Sequence, residues 1–423
     1  MLKYVFMLCA MFMAAAMAGC GKGSSTYSPV YKVDTSAVKP SAASYPMGGA
    51  VQGTPVFGNL STVTSFAGSG TAGTTQSSAS GFANYSANSV RAMFNHPTAI
   101  TTNGNVFYVA DYNNNLIRTI STIDGTSKVG ALSCTESGSA VSFNHPTDLA
   151  VKGDDSELYV VDSGNNRVLV LTLTARANNT PGCTVKAKIG SSSGLAGFAD
   201  ATSPGDARFY MPTGITTDGK YAYVADTGNQ TIRMIDLATY AVYTLAGYPE
   251  VGSSNGSQSS ARFNLPTRLT TTGRYLFVTD FGNRTIRWID IKQGLVGTLA
   301  GIAGTPGLAD TSLGVTATFF HPNGITTDGT AIYVSDYNDT ERQDPQYQDL
   351  IRRIQVPDIN NITGSTAATV TTIAGGISTT APSLVNGNRR AARFSGPVGL
   401  TSDGTSLYVA DSNNNIIRKI SMP

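Results

Sequence analysis

From about residue 62 the chain alternates short apolar runs with clusters of Gly, Asn, Asp and Pro. Six runs are almost wholly apolar: VFYVA (106–110), LYVV (158–161), YAYVA (221–225), YLFVT (275–279), AIYVS (331–335) and SLYVA (406–410). Each is the length of a strand and too short for a helix, and its apolar character on both faces predicts a strand sandwiched between neighbouring sheets. A shorter strand such as AITT (99–102) or GITT (214–217) precedes it, closed by Asn103-Gly104, Asp218-Gly219, Asp328-Gly329 or Asp403-Gly404. Those pairs predict two-residue hairpin turns with both turn residues at positive φ.

The polar positions repeat as strictly as the apolar ones. Every long run stops at an Asp: Asp111, Asp162, Asp226, Asp280, Asp336 and Asp411. Two residues on stands Gly or Asn (Asn113, Gly164, Gly228, Gly282, Asn338, Asn413), which predicts a left-handed residue there and an Asp that caps the backbone N–H groups of its own turn. A third strand carries Arg seven residues after the Asp at Arg118, Arg233, Arg287 and Arg418, and a fourth ends in Ala-Gly at Gly68, Gly247, Gly301 and Gly375. A Phe three residues before a Pro opens each unit, and the six Pro (97, 146, 212, 266, 322, 397) stand 49 to 75 residues apart. That interval holds four short strands and their connections.

Six four-stranded sheets in tandem, each with two apolar faces, bury themselves best as blades around an axis, so the expected class is an all-β six-bladed β-propeller. The sixth unit ends at IIRKISMP, after its third strand, whereas STVTSFAG (61–68) is a fourth strand with no blade before it. The N-terminal strand is therefore expected to complete the last blade and close the ring. The turns after each Asp and the connections between blades then share one face, the top. Loops rich in polar residues fall there: 69–93, the insertion DTERQDPQYQD (339–349), and 376–392.

The first residues read as an address and not as fold. MLKYVFMLCAMFMAAAMAGC has one basic residue, then an apolar run too short for a comfortable membrane span, then small residues before Cys20. Met17-Ala18-Gly19-Cys20 resembles the bacterial lipoprotein cleavage box, which implies a signal peptide over 1–19 and lipid on Cys20. An ordinary secretory signal, or an uncleaved anchor with an incidental Cys, is the alternative. Residues 20–60 lack sustained alternation and are expected to be a flexible lipidated tether, leaving 61–423 as the propeller. Gly21 points to outer-membrane sorting if the cell is Gram-negative. Charged residues make up 13% of the chain, about half the usual share, and the net charge of +2 comes without a basic stripe, which argues against nucleic-acid binding.

The unit F-x-x-P-x-G-I-x-x-D-G-x-x-Y-V-A-D-x-x-N-x-x-I-R, most complete at 209–233 and 394–418, resembles the NHL repeat of bacterial propeller proteins. The resemblance covers roughly 62–423. It implies a monomeric ring that binds or scaffolds a protein or glycan at the cell envelope, on the periplasmic side or the cell surface. The alternative within the same fold is an enzyme, a lyase or lactone hydrolase, with a site in the central channel.

Residues just after each Pro are expected to border that channel: Thr98, Thr147, Thr213, Thr267, Asn323 and Val398, followed by Ala99, Asp148, Gly214, Arg268, Gly324 and Gly399. Lactone hydrolases of this fold need several channel carboxylates for a divalent ion, and only Asp148 is present. The amidating lyase that the propeller resembles in outline takes zinc-ligand His from the position after the Pro, where this chain has Thr or Asn. The three histidines, His96, His145 and His321, instead stand just before a Pro. They can converge on zinc, or fill a loop slot that Met211, Leu265 and Gly396 fill elsewhere. No cofactor is called for beyond that weak metal reading. The repeated Asp and Arg are expected to hold turns and blades together, not to catalyse. Cys134 and Cys183 are free to pair in an exported domain. The strand register, however, places Cys134 near the top of blade 1's outer strand and Cys183 near the bottom of blade 2's, too far for a bond, with the insertion ARANNTPG (175–182) leaving that register open.

Overall fold

A computed structural model describes residues 62–69, 92–122, 128–174, 182–338, 349–362, 368–376 and 384–422. The leader, Cys20, the tether, most of the loop before blade 1 and nearly all of the blade 5 insertion lie outside the described residues. The described chain forms six sheets, and strands a to d are named from the axis outward. Blade 1 comprises Pro97–Thr102, Val106–Asp111, Leu116–Ser121 and Lys128–Ala131; blade 3 comprises Gly214–Thr217, Tyr221–Asp226, Thr231–Asp236 and Val242–Gly247. The other blades follow the same order, and strands a of consecutive blades touch in a closed circuit that returns from Pro397–Ser402 to Pro97–Thr102.

Blade 6 is completed from the other end of the chain. Its strand d is Thr62–Ala67, antiparallel to strand c, Ile416–Ser421, with Val63 opposite Ile420. Phe66 packs edge-on against Tyr408 of blade 6 and Phe107 of blade 1, with ring centroids 4.8 and 5.1 Å away. The N-terminal strand thus bonds one blade and wedges against the next.

The core lies in the seams, one apolar cluster between each pair of neighbouring blades. Strand b shows why its sequence is apolar throughout. Tyr223 and Ala225 face blade 4, while Ala222 and Val224 face blade 2. Period-two alternation therefore feeds two cores, not a core and the solvent.

Three local expectations are corrected. In the a–b turns only the glycine has positive φ (Gly104 93°, Gly219 89°), and Asn103 or Asp218 shapes the turn by accepting the N–H groups two and three residues on. In the b–c turns the left-handed residue is the fourth after the Asp (Asn115, Asn166, Gln230, Arg284, Asn415), not the second. Gly at the second position serves close packing, since a Cβ on Gly164 would lie 2.5 Å from the Asn144 side chain.

The cysteine register is the third correction. Strand d of blade 1 ends at Ala131, and the chain then crosses to add Ser133–Glu136 outside strand d of blade 2, Gly182–Gly190. That added strand runs parallel to Gly182–Gly190 and pairs Cys134 directly with Cys183, their Cα atoms 4.4 Å apart and their sulfurs bonded. The repeat gives no warning of this strand, because the outer strands of blades 4 and 6, Gly256–Ser257 and Gly387–Asn388, are two residues long and antiparallel.

Candidate functional site

The repeated Asp is the hub of each blade's top, though not as a cap of its own turn. Asp226 Oδ1 accepts the Tyr210 N–H at 2.8 Å, from the loop before strand a, and Oδ2 accepts the Asn229 amide at 2.9 Å and Arg233 Nη1 at 2.8 Å. Arg233 also donates to the Arg208 and Ala199 carbonyls and to Asp200, and its guanidinium sits 5.2 Å from the Phe209 ring centroid. The Phe before the Pro is a platform for the arginine in blades 1, 3, 4, 5 and 6, at 5.0 to 5.2 Å from the ring centroid. The same constellation recurs at Asp111–Arg118, Asp280–Arg287 and Asp411–Arg418, at 2.9 to 3.0 Å.

Two members escaped the seven-residue rule. Arg352 pairs with Asp336 at 3.1 Å because the insertion in blade 5 displaces it along the chain but not in register, opposite Val334. In blade 2 the partner of Asp162 is Arg167, at 2.7 Å, since Leu169 occupies the usual slot. The acceptors in the inter-blade loops, Asp200, Asn255, Asp310 and Asn386, also went unread. Each stands N-terminal to its arginine by 32 to 42 residues, beyond the reach of any short motif.

The expected channel residues are at the axis, and most are spent on the seams. Thr98 Oγ1 donates to Thr147 O (3.1 Å), Thr147 Oγ1 to Pro212 O (3.4 Å) and Thr213 Oγ1 to Thr267 O (2.9 Å). Thr279 Oγ1 donates to Asn323 O (2.7 Å), Ser335 Oγ to Val398 O (2.7 Å), and Ser412 Oγ to Pro97 O. One hydroxyl thus latches each blade to the next, including the last to the first. Thr267 pairs its hydroxyl with that of Thr279 at 2.9 Å. Close approach explains the axial glycines, since a Cβ on Gly214 or Gly324 would collide with the carbonyls of Thr267 and Val398.

Of the residues expected to border the channel, Asp148 and Arg268 carry charge, and they engage each other, Nε to Oδ2 at 3.7 Å. Asp148 accepts the Leu149 and Ile215 N–H groups, each at 2.9 Å. Arg268 donates to carbonyls of three blades, at Thr98 (3.3 Å), Thr147 (2.9 Å) and Thr213. Burial pushes the Asp148 carboxyl up and the Arg268 guanidinium down, and each is opposed by the partner's charge. Arg268 Nε and Asn323 Oδ1 are buried without a hydrogen-bond partner.

Above this level the top rim is aromatic on two sides. Tyr112, just after Asp111, lies between His96 and His145, at 6.0 and 4.7 Å between ring centroids. Phe281, just after Asp280, stacks on His321 at 5.1 Å, with Tyr337 beyond at 6.3 Å. The histidines are thus divided between blades 1 and 2 on one side and blade 5 on the other. Among the described residues no three His, Cys, Asp or Glu side chains are grouped closely enough to hold a metal ion. His96 and His145 are fixed through their backbones, whose N–H groups donate to Asn415 Oδ1 and Asn115 Oδ1 at 2.8 and 2.7 Å. Burial holds the His96 imidazole below its ordinary value, and burial together with Arg284 lowers His321 to about 4. Imidazoles beside aromatic rings make a mixed polar and apolar surface.

The LVIVD repeat family matches residues 213–232, which run from strand a of blade 3 into its third strand. NHL repeat-containing protein 2 of Gallus gallus is 28% identical over 283 residues, covering 58% of this chain. This chain is a six-bladed β-propeller with NHL-like repeats. The NHL propeller spans 38% of the length of that relative. Two solved Bacteroides thetaiotaomicron structures share its fold. One, a protein of unknown function, has a TM-score of 0.60 at 18% identity, covering 86% of this chain and 76% of its own. The other, an auxiliary nutrient binding protein, has a TM-score of 0.58 at 14% identity, covering 85% and 76%.

Proposed function

We propose that this NHL propeller is a binding module of the cell envelope, held to a membrane by lipid on Cys20 and the tether over 20–60, which presents the top face of its ring to a protein or glycan. The observation that carries this reading is the axial pair. Arg268 and Asp148 fill the position where a channel enzyme would need free carboxylates or imidazoles, and both are committed to each other and to backbone groups. What remains accessible is the rim above them, built from loops on a rigid ring, the usual place for recognition. The shared fold with a protein named for nutrient binding agrees with this reading.

Two experiments test it. Metabolic labelling with an alkyne fatty acid should mark the wild-type chain and not Cys20→Ala, and the variant should leave the membrane fraction. Photo-crosslinkers placed at Tyr112 and at Thr330, on the opposite face, should then capture envelope material from the first site only. Equal capture from both, or turnover of lactone substrates that Asp148→Asn abolishes, would replace the binding reading with another.

A further inference from the structure

The residue after each repeated Asp reaches toward the start of the next blade's innermost strand: Thr227 Oγ1 donates to Pro266 O at 2.7 Å and Ser412 Oγ to Pro97 O. That slot therefore borders the mouth of the channel. Ser163, Thr227, Tyr337 and Ser412 are buried in it, whereas Tyr112 and Phe281 are half-buried and keep ring surface toward solvent. Blades 1 and 4 stand three apart in a ring of six, so the two rings lie on opposite sides of the mouth. Each is braced by imidazole, Tyr112 by His145 at 4.7 Å and Phe281 by His321 at 5.1 Å. Asn323, at the start of strand a of blade 5 and so in the blade next to that of Phe281, is 9% exposed, and its Oδ1 is a buried acceptor without a hydrogen-bond partner. Arg268 Nε, in the neighbouring blade, makes no hydrogen bond and is engaged by the Asp148 carboxylate at 3.7 Å.

Resting on the binding-module reading, we infer that the channel mouth is a carbohydrate subsite, in which Tyr112 and Phe281 receive the C–H faces of pyranose rings and a sugar hydroxyl meets Asn323. The ring faces carry partial negative charge and accept the weakly positive C–H bonds on one side of a sugar. A hydroxyl donates as well as accepts, so it suits a site whose orphan group is an acceptor. Satisfying buried polar groups that otherwise go unpaired favours a hydroxylated ligand over an apolar one.

The test uses the full chain in a zwitterionic detergent, titrated calorimetrically with maltohexaose, xylohexaose, mannohexaose and chitohexaose. Tyr112→Ser and Phe281→Ser are the variants of choice, because Ser fills the same slot at Ser163 and Ser412. At least one hexaose is expected to bind, with saturation-transfer NMR signals concentrated on its ring C–H protons. Each Ser variant should weaken that binding roughly tenfold or more, and Tyr112→Phe should retain it. Absence of binding by all four sugars overturns the carbohydrate assignment. If peptides selected from a random library then bind and lose affinity in both Ser variants, the binding-module reading survives with a different ligand. If neither sugars nor peptides distinguish the wild type from the variants, both readings fall.

Discussion

Arg268 crosses the axis of the ring: its Nη2 donates to the carbonyl of Thr98, 3.3 Å away and on the opposite blade, 170 positions distant in the chain. The same guanidinium bonds Thr147 and Thr213 and faces Asp148, so one side chain ties four blades together.

Removing that tie should be costly in a specific way. Arg268→Met leaves the Asp148 carboxylate buried with backbone donors only, a loss of about 3–5 kcal/mol. Adding Asp148→Asn removes the stranded charge and should restore much of the stability. Urea denaturation of the single and double variants measures this, and equal losses in the two would show that the pair is not coupled.

His321 should make the protein acid-sensitive. Its folded value is about 4, lowered first by burial and then by Arg284, against about 6.5 when unfolded. A depressed histidine gives its full contribution above the unfolded value, and that contribution is lost as pH falls from about 6.5 toward 4. Asp280 and Asp336, raised by burial to about 6, act in the opposite sense, since their contribution is complete near pH 4 and fades as pH rises through 6. Comparing the wild type with His321→Met isolates the histidine. The variant should lose less stability on acidification, by about 2 kcal/mol at pH 5, in thermal melts across that range.

Strand Thr62–Ala67 should be indispensable. Deleting the chain through residue 68 exposes the edge of Ile416–Ser421 and removes Val63 and Ala67 from two seams. Loss of a single cooperative transition is expected, with recovery when a peptide spanning 61–69 is added. An unchanged Tm after deletion would mean that the ring closes without it.

The disulfide should matter more for the blade 1 to blade 2 crossing than for the ring. Closing a loop of 49 residues stabilises by at most about 4 kcal/mol on the chain-entropy view. Cys134→Ser with Cys183→Ser should lower Tm while leaving the near-ultraviolet spectrum intact, and hydrogen exchange should rise first in Ser133–Glu136. Uniformly faster exchange in all six blades would contradict a local role.

Much of the architecture is legible in the sequence because every blade repeats one solution. The apolar strand b, the Asp, the Phe and Pro, and the offset of the first and last strands all follow from local chemistry copied six times. What escaped is what the repeat does not copy. Arg352 is displaced by an insertion, and Ser133–Glu136 is a parallel outer strand where blades 4 and 6 have short antiparallel ones, so the register drawn from the others puts Cys134 and Cys183 far apart. Thr98, Thr147 and Thr213 turn their hydroxyls sideways to the next blade, a direction set by the seam and invisible in a linear pattern. Tyr112 and Phe281 went unnoticed because in four blades their slot holds a buried residue and no exposed ring.

The strand that closes the ring, Thr62–Ala67, precedes all six long apolar runs in the chain, while its partner, Ile416–Ser421, follows them all. It is the first strand of the propeller made and the last one used. Until its partner emerges, a growing chain has a blade with one edge missing and a Ser412 hydroxyl that has not yet reached Pro97. Closure therefore acts as a test of completeness: a truncated product is left with unpaired strand edges that mark it for removal.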